Sequence, residues 1–179
     1  VYEGRSGRPY SWVYSNDTNG DSRTNDLFYV PGGRGDVLFT GGAAMEDAFF
    51  QYLSTTDLVH NMGSVVSRNS ARAGWVNSFD LRISQELPGF FEGHKSQIWL
   101  DVMNIGNLVN NDWGQINDYG FFADKSILAY AGIDAATGKY IYNFDPARVE
   151  QAVAANTNGD GINVGVSQWS LQVGFRYEF

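Results

Sequence analysis

The last residues of the chain, WSLQVGFRYEF, alternate between apolar and polar side chains without a break. Trp169, Leu171, Val173, Phe175, Tyr177 and Phe179 form one set, and Ser170, Gln172, Gly174, Arg176 and Glu178 form the other. Successive side chains of a strand point to opposite faces. The pattern therefore predicts a strand with one apolar, aromatic-ended face and one polar face carrying both charge signs. Two more segments repeat it. In WVNSFDLRISQEL, Trp75, Phe79, Leu81, Ile83 and Leu87 share one face, and Ser78, Asp80, Arg82, Ser84 and Glu86 share the other. In QIWLDVMNIGNL, Ile98, Leu100 and Val102 oppose Gln97 and Asp101, with Trp99 and Met103 on the polar side. Such strands fit a soluble sheet with the apolar side in a core. They also fit a strand in lipid, apolar side out and polar side to a wet lumen.

The connections discriminate between these settings. PGFFEGHK, between the second and third segments, reads as a short turn. Pro9 to Gly74 and Leu108 to Ser167 are each roughly sixty residues, a length that compact domains seldom leave without secondary structure. Both are rich in Asn, Asp, Gly and Ser. Outer-membrane barrels combine short periplasmic turns with long external loops. With the C-terminus on the periplasmic side, the order long, short, long gives strands that run alternately down and up. Trp75 and Trp169 then fall at the external interface, and Phe90, Phe91, Tyr177 and Phe179 at the periplasmic one. A strand rising about 3.3 Å per residue at a tilt of about 40–45° takes Trp169–Phe179 across on the order of 25 Å of bilayer.

The expected fold is all-β. Antiparallel strands of a transmembrane β-barrel lie near 1–8, 75–87, 96–108 and 167–179, with external loops near 9–74 and 109–166 that contain short helices. Within the loops, 43–55 (AAMEDAFFQYLST) has helical spacing. The segment 146–156 (PARVEQAVAAN) has Pro at a first-turn position, and 139–144 (KYIYNF) reads as a short strand.

Composition narrows the function. The 179 residues carry 20 acidic against 12 basic side chains, a formal charge of −8, which disfavours a nucleic-acid partner. With no Cys, disulfides and thiolate metal sites are excluded. No apolar run is long enough for a transmembrane helix, whereas barrel strands hide their apolar residues in alternation. The chain starts without Met and inside an ordered-looking segment, so a fragment or processed product is expected.

Candidate chemistry is sparse. In DTNGDSRTND, Asp17, Asn19, Asp21 and Asp26 offer oxygens at a spacing that can wrap Ca²⁺. The EF-hand pattern is not met, because Ser22 and Phe28 stand where Gly and Glu belong. The competing reading is a run of Asx-turns. NTNGDG (156–161) repeats the theme more weakly. His60 and His94 lie far apart and read as solvated surface residues. No nucleophile elbow or phosphate loop is present, and no cofactor is implied, so an enzyme is not expected. On the strands, Asp80, Arg82, Glu86, Asp101, Arg176 and Glu178 would face the lumen, because lipid-facing Arg or Lys costs roughly 2–4 kcal/mol at the midplane. Asn77 and Gln85 fall on the apolar face.

Four stretches resemble the C-terminal end of TonB-dependent outer-membrane receptors, most closely the Oar-like branch: residues 2–31, 65–91, 99–115 and the terminal VGFRYEF (173–179). DVMNIGNLVN is similar to their Asn-Leu-containing penultimate strand. The resemblance implies a barrel of about 22 strands with an N-terminal plug inside. Its other implications are binding and import of an external ligand, and energy coupling to the TonB complex through a plug that this chain lacks. They extend to residence in the outer membrane of a Gram-negative bacterium, among its lipids. Tyr177 and Phe179 match the aromatic positions read by the barrel-assembly machinery. The chain would supply only part of the barrel, with the remaining strands and the plug as partners. The first long stretch carries Asp17, Asp21, Asp26, Asp36, Glu46, Asp47 and Asp57 against Arg23, Arg34, Arg68 and Arg72, which favours cationic or metal-bound ligands. The alternative is a secreted soluble β-sandwich that binds glycans, Ca²⁺ or both. A secreted hydrolase and a receptor lineage used for adhesion or export are further rivals.

Overall fold

The computed structural model describes residues 1–116, 123–147 and 167–179. In chain order the strands are β1 (Tyr2–Arg5), β2 (Pro9–Val13), β3 (Tyr29–Val30), β4 (Leu38–Phe39), β5 (Ser64–Val65), β6 (Ala71–Arg72), β7 (Val76–Phe79), β8 (Leu81–Pro88), β9 (Lys95–Met103), β10 (Asp124–Ser126), β11 (Leu128–Ile133), β12 (Tyr140–Phe144) and β13 (Ser170–Glu178). Helix α1 spans Gly42–Leu53, a 3₁₀ turn spans Asp57–Asn61, and α2 spans Ile105–Val109. Strands dominate, as the alternation predicts. The sheets are small, and none closes into a barrel among the described residues.

The chain divides into two compact units. The first comprises Val1–Gly7, Gly74–Asn117 and Ile162–Phe179; the second comprises Arg8–Ala73 and Asp118–Gly161. The first unit contains all the strands with long alternation. β8, β9 and β13 form an antiparallel sheet in the order β13-β9-β8, and β1 pairs antiparallel with β7. β7 and β8 are separated only by Asp80, whose backbone hydrogen-bonds Val1. The third predicted strand ends at Met103 rather than near 108. Asn104 adopts a left-handed backbone (φ 52), which breaks the strand, and α2 follows.

The second unit is built from the two stretches expected as loops, and it has a core of its own. β2 pairs in parallel with β10 and antiparallel with β6. β12 pairs antiparallel with β11 and in parallel with β4. Each stretch thus supplies strands to the other's sheets. Phe28, Val30, Phe49, Leu53, Leu58 and Tyr142 are fully or almost fully buried. Helix α1 falls where the spacing predicts it. Phe49 and Leu53, one turn apart, point inward, and Phe49 packs on Phe39 and Phe144. KYIYNF becomes β12. Of 146–156 only Pro146 and Ala147 are described, and 156–161 lies outside the described residues.

Candidate functional site

The three-stranded sheet of the first unit sorts its side chains by polarity, except for Gln85 and Ser96 on the apolar face and Trp99 and Met103 on the polar one. One face carries the rows Leu81–Val102–Leu171, Ile83–Leu100–Val173 and Gln85–Ile98–Phe175. The other carries Arg82–Asp101–Gln172, Ser84–Trp99–Gly174 and Glu86–Gln97–Arg176. The polarity set by each strand's alternation is therefore kept in register across all three strands. Ile83, Leu171, Val173 and Phe175 are each 55–63% exposed. Val102 on the central strand is buried, whereas the outer strands leave this face open among the described residues.

Of the six residues expected to face a lumen, Arg82, Glu86, Asp101, Arg176 and Glu178 lie on the opposite, polar face, and Asp80 lies between β7 and β8, outside the sheet. Arg82 donates two hydrogen bonds to Asp101 across the β8–β9 pair, Nε to Oδ1 at 2.5 Å and Nη2 to Oδ2 at 2.6 Å. Such a planar, bidentate pair fixes both side chains. Arg176 pairs with Glu178 at 2.8 Å along its own strand. The Asp80 carboxylate accepts the backbone N–H of Asn104 at 2.9 Å. Glu86 lines a small hollow with Lys95, Gln97, Arg176 and Glu178. Trp99, out of place on a polar face, lies flat on Gly174. A Cβ at Gly174 would come within 2.1 Å of the indole ring. The glycine makes room for the aromatic ring, and the ring covers a strand backbone that has no side chain to shield it.

Tyr177 and Phe179 behave differently from each other. Phe179 is almost fully exposed. Tyr177 folds back on the β8–β9 turn. Its hydroxyl accepts the Phe90 N–H at 3.2 Å and lies 2.8 Å from His94 Nδ1, and its ring stacks on Phe90. His94 is correspondingly half-buried, packed against Phe91 and Tyr177, and is not the solvated residue that the sequence predicts. Only the β9–β13 register, which sets Ser96 opposite Tyr177, brings the two together. His60 is exposed, as expected.

In the second unit, the Asp17 loop is closed by its own hydrogen bonds. Asp17 Oδ1 accepts from the backbone of Asn19 (3.1 Å) and Gly20 (2.7 Å), and Oδ2 accepts from Ser22 (2.7 Å). The backbone donors, Gly20 first, hold the Asp17 carboxyl below its usual range. Asn19 Oδ1 accepts from Asp21 and Asp21 Oδ1 from Arg23, both through backbone N–H. Asp26 accepts from Thr18 and from the Asn19 amide, each at 2.8 Å. The loop gathers these side chains as a ladder of Asx-turns. Among the described residues no group of three or more His, Cys, Asp or Glu side chains is arranged to hold a metal ion. Ser22 has a φ of 66°, the left-handed backbone that glycine takes most easily.

Two larger hollows lie among the described residues. One, of about 700 Å³, lies in the second unit and is lined by Asn16, Thr40, Met45, Leu128, Asn143 and Asp145 among others. Its Asn16 amide is spent on both backbone groups of Tyr130. The other, of about 510 Å³, lies in the first unit and is lined by Trp75, Asn77, Phe79, Gly106, Asp112, Trp113, Gly114 and Gln115. Sequence reasoning placed Trp75 at an interface and did not single out Trp113, whose Asn/Asp-rich surroundings carry no periodicity. Trp113 is held by two buried asparagines. The Asn104 amide donates to the Gly114 and Ser167 carbonyls at 2.9 and 2.7 Å, and the Asn107 amide to those of Asn111 and Trp113 at 2.9 and 3.0 Å. Gly114 has a φ of +66°, and a Cβ there would meet Asn104 Oδ1 at 1.8 Å.

No protein-family model matches the chain, and neither a curated protein nor a solved structure was found that matches it.

Proposed function

We propose that the chain is the C-terminal part of the barrel of a TonB-dependent receptor in the outer membrane of a Gram-negative bacterium. It is not an enzyme, and it serves in the binding and import of an external ligand. The two long excursions between its membrane strands form the external portion. The observation that supports this most is the exposed apolar face kept in register over β8, β9 and β13. Burying a Val, Leu or Phe side chain contributes about 1.5–3 kcal/mol, so a soluble sheet would cover Leu171, Val173 and Phe175. The same chain does bury its apolar residues in the second unit, where Phe28, Val30, Phe49 and Tyr142 have no exposed surface. Lipid covers what the first unit leaves bare, and a water-filled lumen suits the charged rows behind it. β9 and β13 are nine residues long, near the length that a tilted strand needs to cross hydrocarbon. Import and the TonB partnership rest on the family resemblance.

The chain has no Cys, so single cysteines report cleanly. Spin labels at Leu171, Val173 and Phe175 are expected to meet oxygen dissolved in lipid, and labels at Gln172 and Arg176 a water-soluble nickel chelate. Access of the chelate to all five positions would overturn the membrane reading. Import is tested by solute uptake in cells with and without the gene. Unchanged uptake would leave an outer-membrane protein of another role, such as adhesion or export.

A further inference from the structure

The cleft of the first unit is built rather than incidental. Trp75 and Trp113 are 63% and 56% exposed, yet the turn that carries Trp113 is braced by the buried amides of Asn104 and Asn107. Ser167 ties the same turn from the far end of the sequence, its hydroxyl accepting the Ile116 N–H at 2.9 Å. Opposite lies Asn77. Its Oδ1 accepts from the Tyr2 hydroxyl at 2.8 Å and from the Trp75 indole N–H at 3.1 Å. These bonds fix the amide plane at the wall of the cleft, and among the described residues its NH₂ group makes no hydrogen bond. Gln115 spends its NH₂ on the Asn111 carbonyl and keeps its oxygen as an acceptor. A braced turn that holds an indole in the open, beside oriented amides, has the form of a binding site and not of a core.

The lining selects the ligand. Among the described residues no Lys or Arg borders the cleft, and Asp112 is the only charged side chain in its lining. A phosphate group would meet a carboxylate with no cation to offset it. Hydroxyl groups would find donors and acceptors in Asn77, Asp112 and Gln115. The C–H face of a sugar ring suits the flat face of an indole, which presents apolar area with little entropy to lose. The position of the cleft then fixes the rest of the molecule. Trp75, Asn77 and Phe79 keep the sequence parity of Leu81 and Ile83 across the break at Asp80 between β7 and β8. The apolar rows Leu81–Val102–Leu171 and Ile83–Leu100–Val173 therefore continue from the rim of the cleft.

We propose that this cleft binds the uncharged sugar headgroup of a glycolipid, with the lipid's chains lying over the apolar face below Phe79. The site rests on the membrane reading given above, because a free sugar would leave that face uncovered. It is distinct from any ligand held by the external portion.

The test uses the complete barrel that contains this chain, reconstituted in phosphatidylcholine vesicles. Tryptophan quenching is followed as brominated-chain galactosyl diacylglycerol, or brominated-chain phosphatidylglycerol, replaces part of the bilayer. The galactolipid is expected to quench at about tenfold lower mole fraction, the ratio that one sugar-on-indole contact with its hydrogen bonds can supply. Trp113→Ala should abolish the preference, and Asp112→Lys should turn it toward phosphatidylglycerol while both indoles remain. Equal quenching by the two lipids would overturn the proposal. So would methyl galactoside that displaces the galactolipid at equal concentration, because the chains would then contribute nothing. Brominated phosphatidylcholine that quenches no tryptophan at all would instead show that the chain does not enter the bilayer, and both readings would fall.

Discussion

Tyr142→Phe removes one oxygen atom from the middle of the second unit and tests whether the two excursions are held together there. The Tyr29 N–H donates to the Tyr14 hydroxyl at 3.2 Å. The Tyr14 and Tyr142 hydroxyls lie 2.9 Å apart, and the Tyr142 hydroxyl donates to the Tyr29 carbonyl at 2.7 Å. The bonds form a closed ring with its oxygens out of water. Tyr142 has no exposed surface and Tyr14 is 6% exposed, and burial pushes the pKa of both phenols up. Phenylalanine fills the same volume, so packing against Phe39 and Tyr14 is kept. What is lost is the donor to Tyr29 and the acceptor for Tyr14. An unmade hydrogen bond at a buried group costs about 1–3 kcal/mol, and Tyr29 is half-buried, so a total of about 2–3 kcal/mol is expected. Hydrogen exchange read by mass spectrometry reports this segment by segment. Amides in β2, β3 and β12 should exchange roughly 30- to 150-fold faster if they open together. Amides in β9 and β13, in the other unit, serve as the unchanged reference. Tyr14→Phe combined with Tyr142→Phe should cost less than the two single changes summed, because they share a bond. Exchange within about twofold of the parent in β2 and β12 would show that the ring contributes little.

Gly174→Ala should destabilise the β9–β13 pair by about 1–3 kcal/mol, through collision with the Trp99 ring. Adding Trp99→Ala should recover part of the loss, read as the temperature at which the chain loses heat-modifiable mobility on gels. Ser22→Gly should stabilise the Asp17 loop by about 1 kcal/mol, because the left-handed backbone then costs nothing; slower amide exchange over 17–26 is the readout. Acid should loosen the second unit. The carboxyls of Asp17, Asp36 and Asp134 are held low by hydrogen bonds, first from Gly20, Gly32 and Thr137 respectively. Their stabilisation is therefore complete above the ordinary value of 3.8 and is lost as pH falls through the lower folded values. Burial raises the Asp124 pKa and acts in the opposite sense. Amide exchange corrected for its intrinsic pH dependence should rise near Gly32 below pH about 4, and Asp36→Asn should remove part of that rise.

The long strands of the first unit were legible because their information is local. A period of two, held over β13 and broken in β8 only at Gln85, survives any uncertainty about partners, and the charge-bearing face follows from it directly. The second unit was not legible as a folded body. β3, β4, β5 and β6 are two residues each, too short to show a period. The parallel pairings of β2 with β10 and of β4 with β12 join residues about a hundred positions apart, which no local pattern encodes. Aromatic density was the available signal. Tyr14, Phe28, Phe39, Phe49, Tyr142 and Phe144 are more apolar surface than an exposed loop needs, and they turn out to be its core. Trp99 and Gly174 were readable one at a time but not as a pair, because the register that stacks them is a tertiary fact. His94 was misread for the same reason.

The parallel joins also set an order of events. Until Asp124 to Phe144 is in place, β2 and β4 have no parallel partners, and Phe28, Phe39 and Phe49 face solvent. A newly made chain must carry that sticky half-core while the intervening β8–β9 hairpin is still being placed. Closure over such sequence distances is slow, and exposed apolar surface invites wrong partners in the meantime. Aggregation should therefore concentrate in truncations that stop between β9 and β12, and a holdase chaperone that masks aromatic surface should raise the yield of the intact chain.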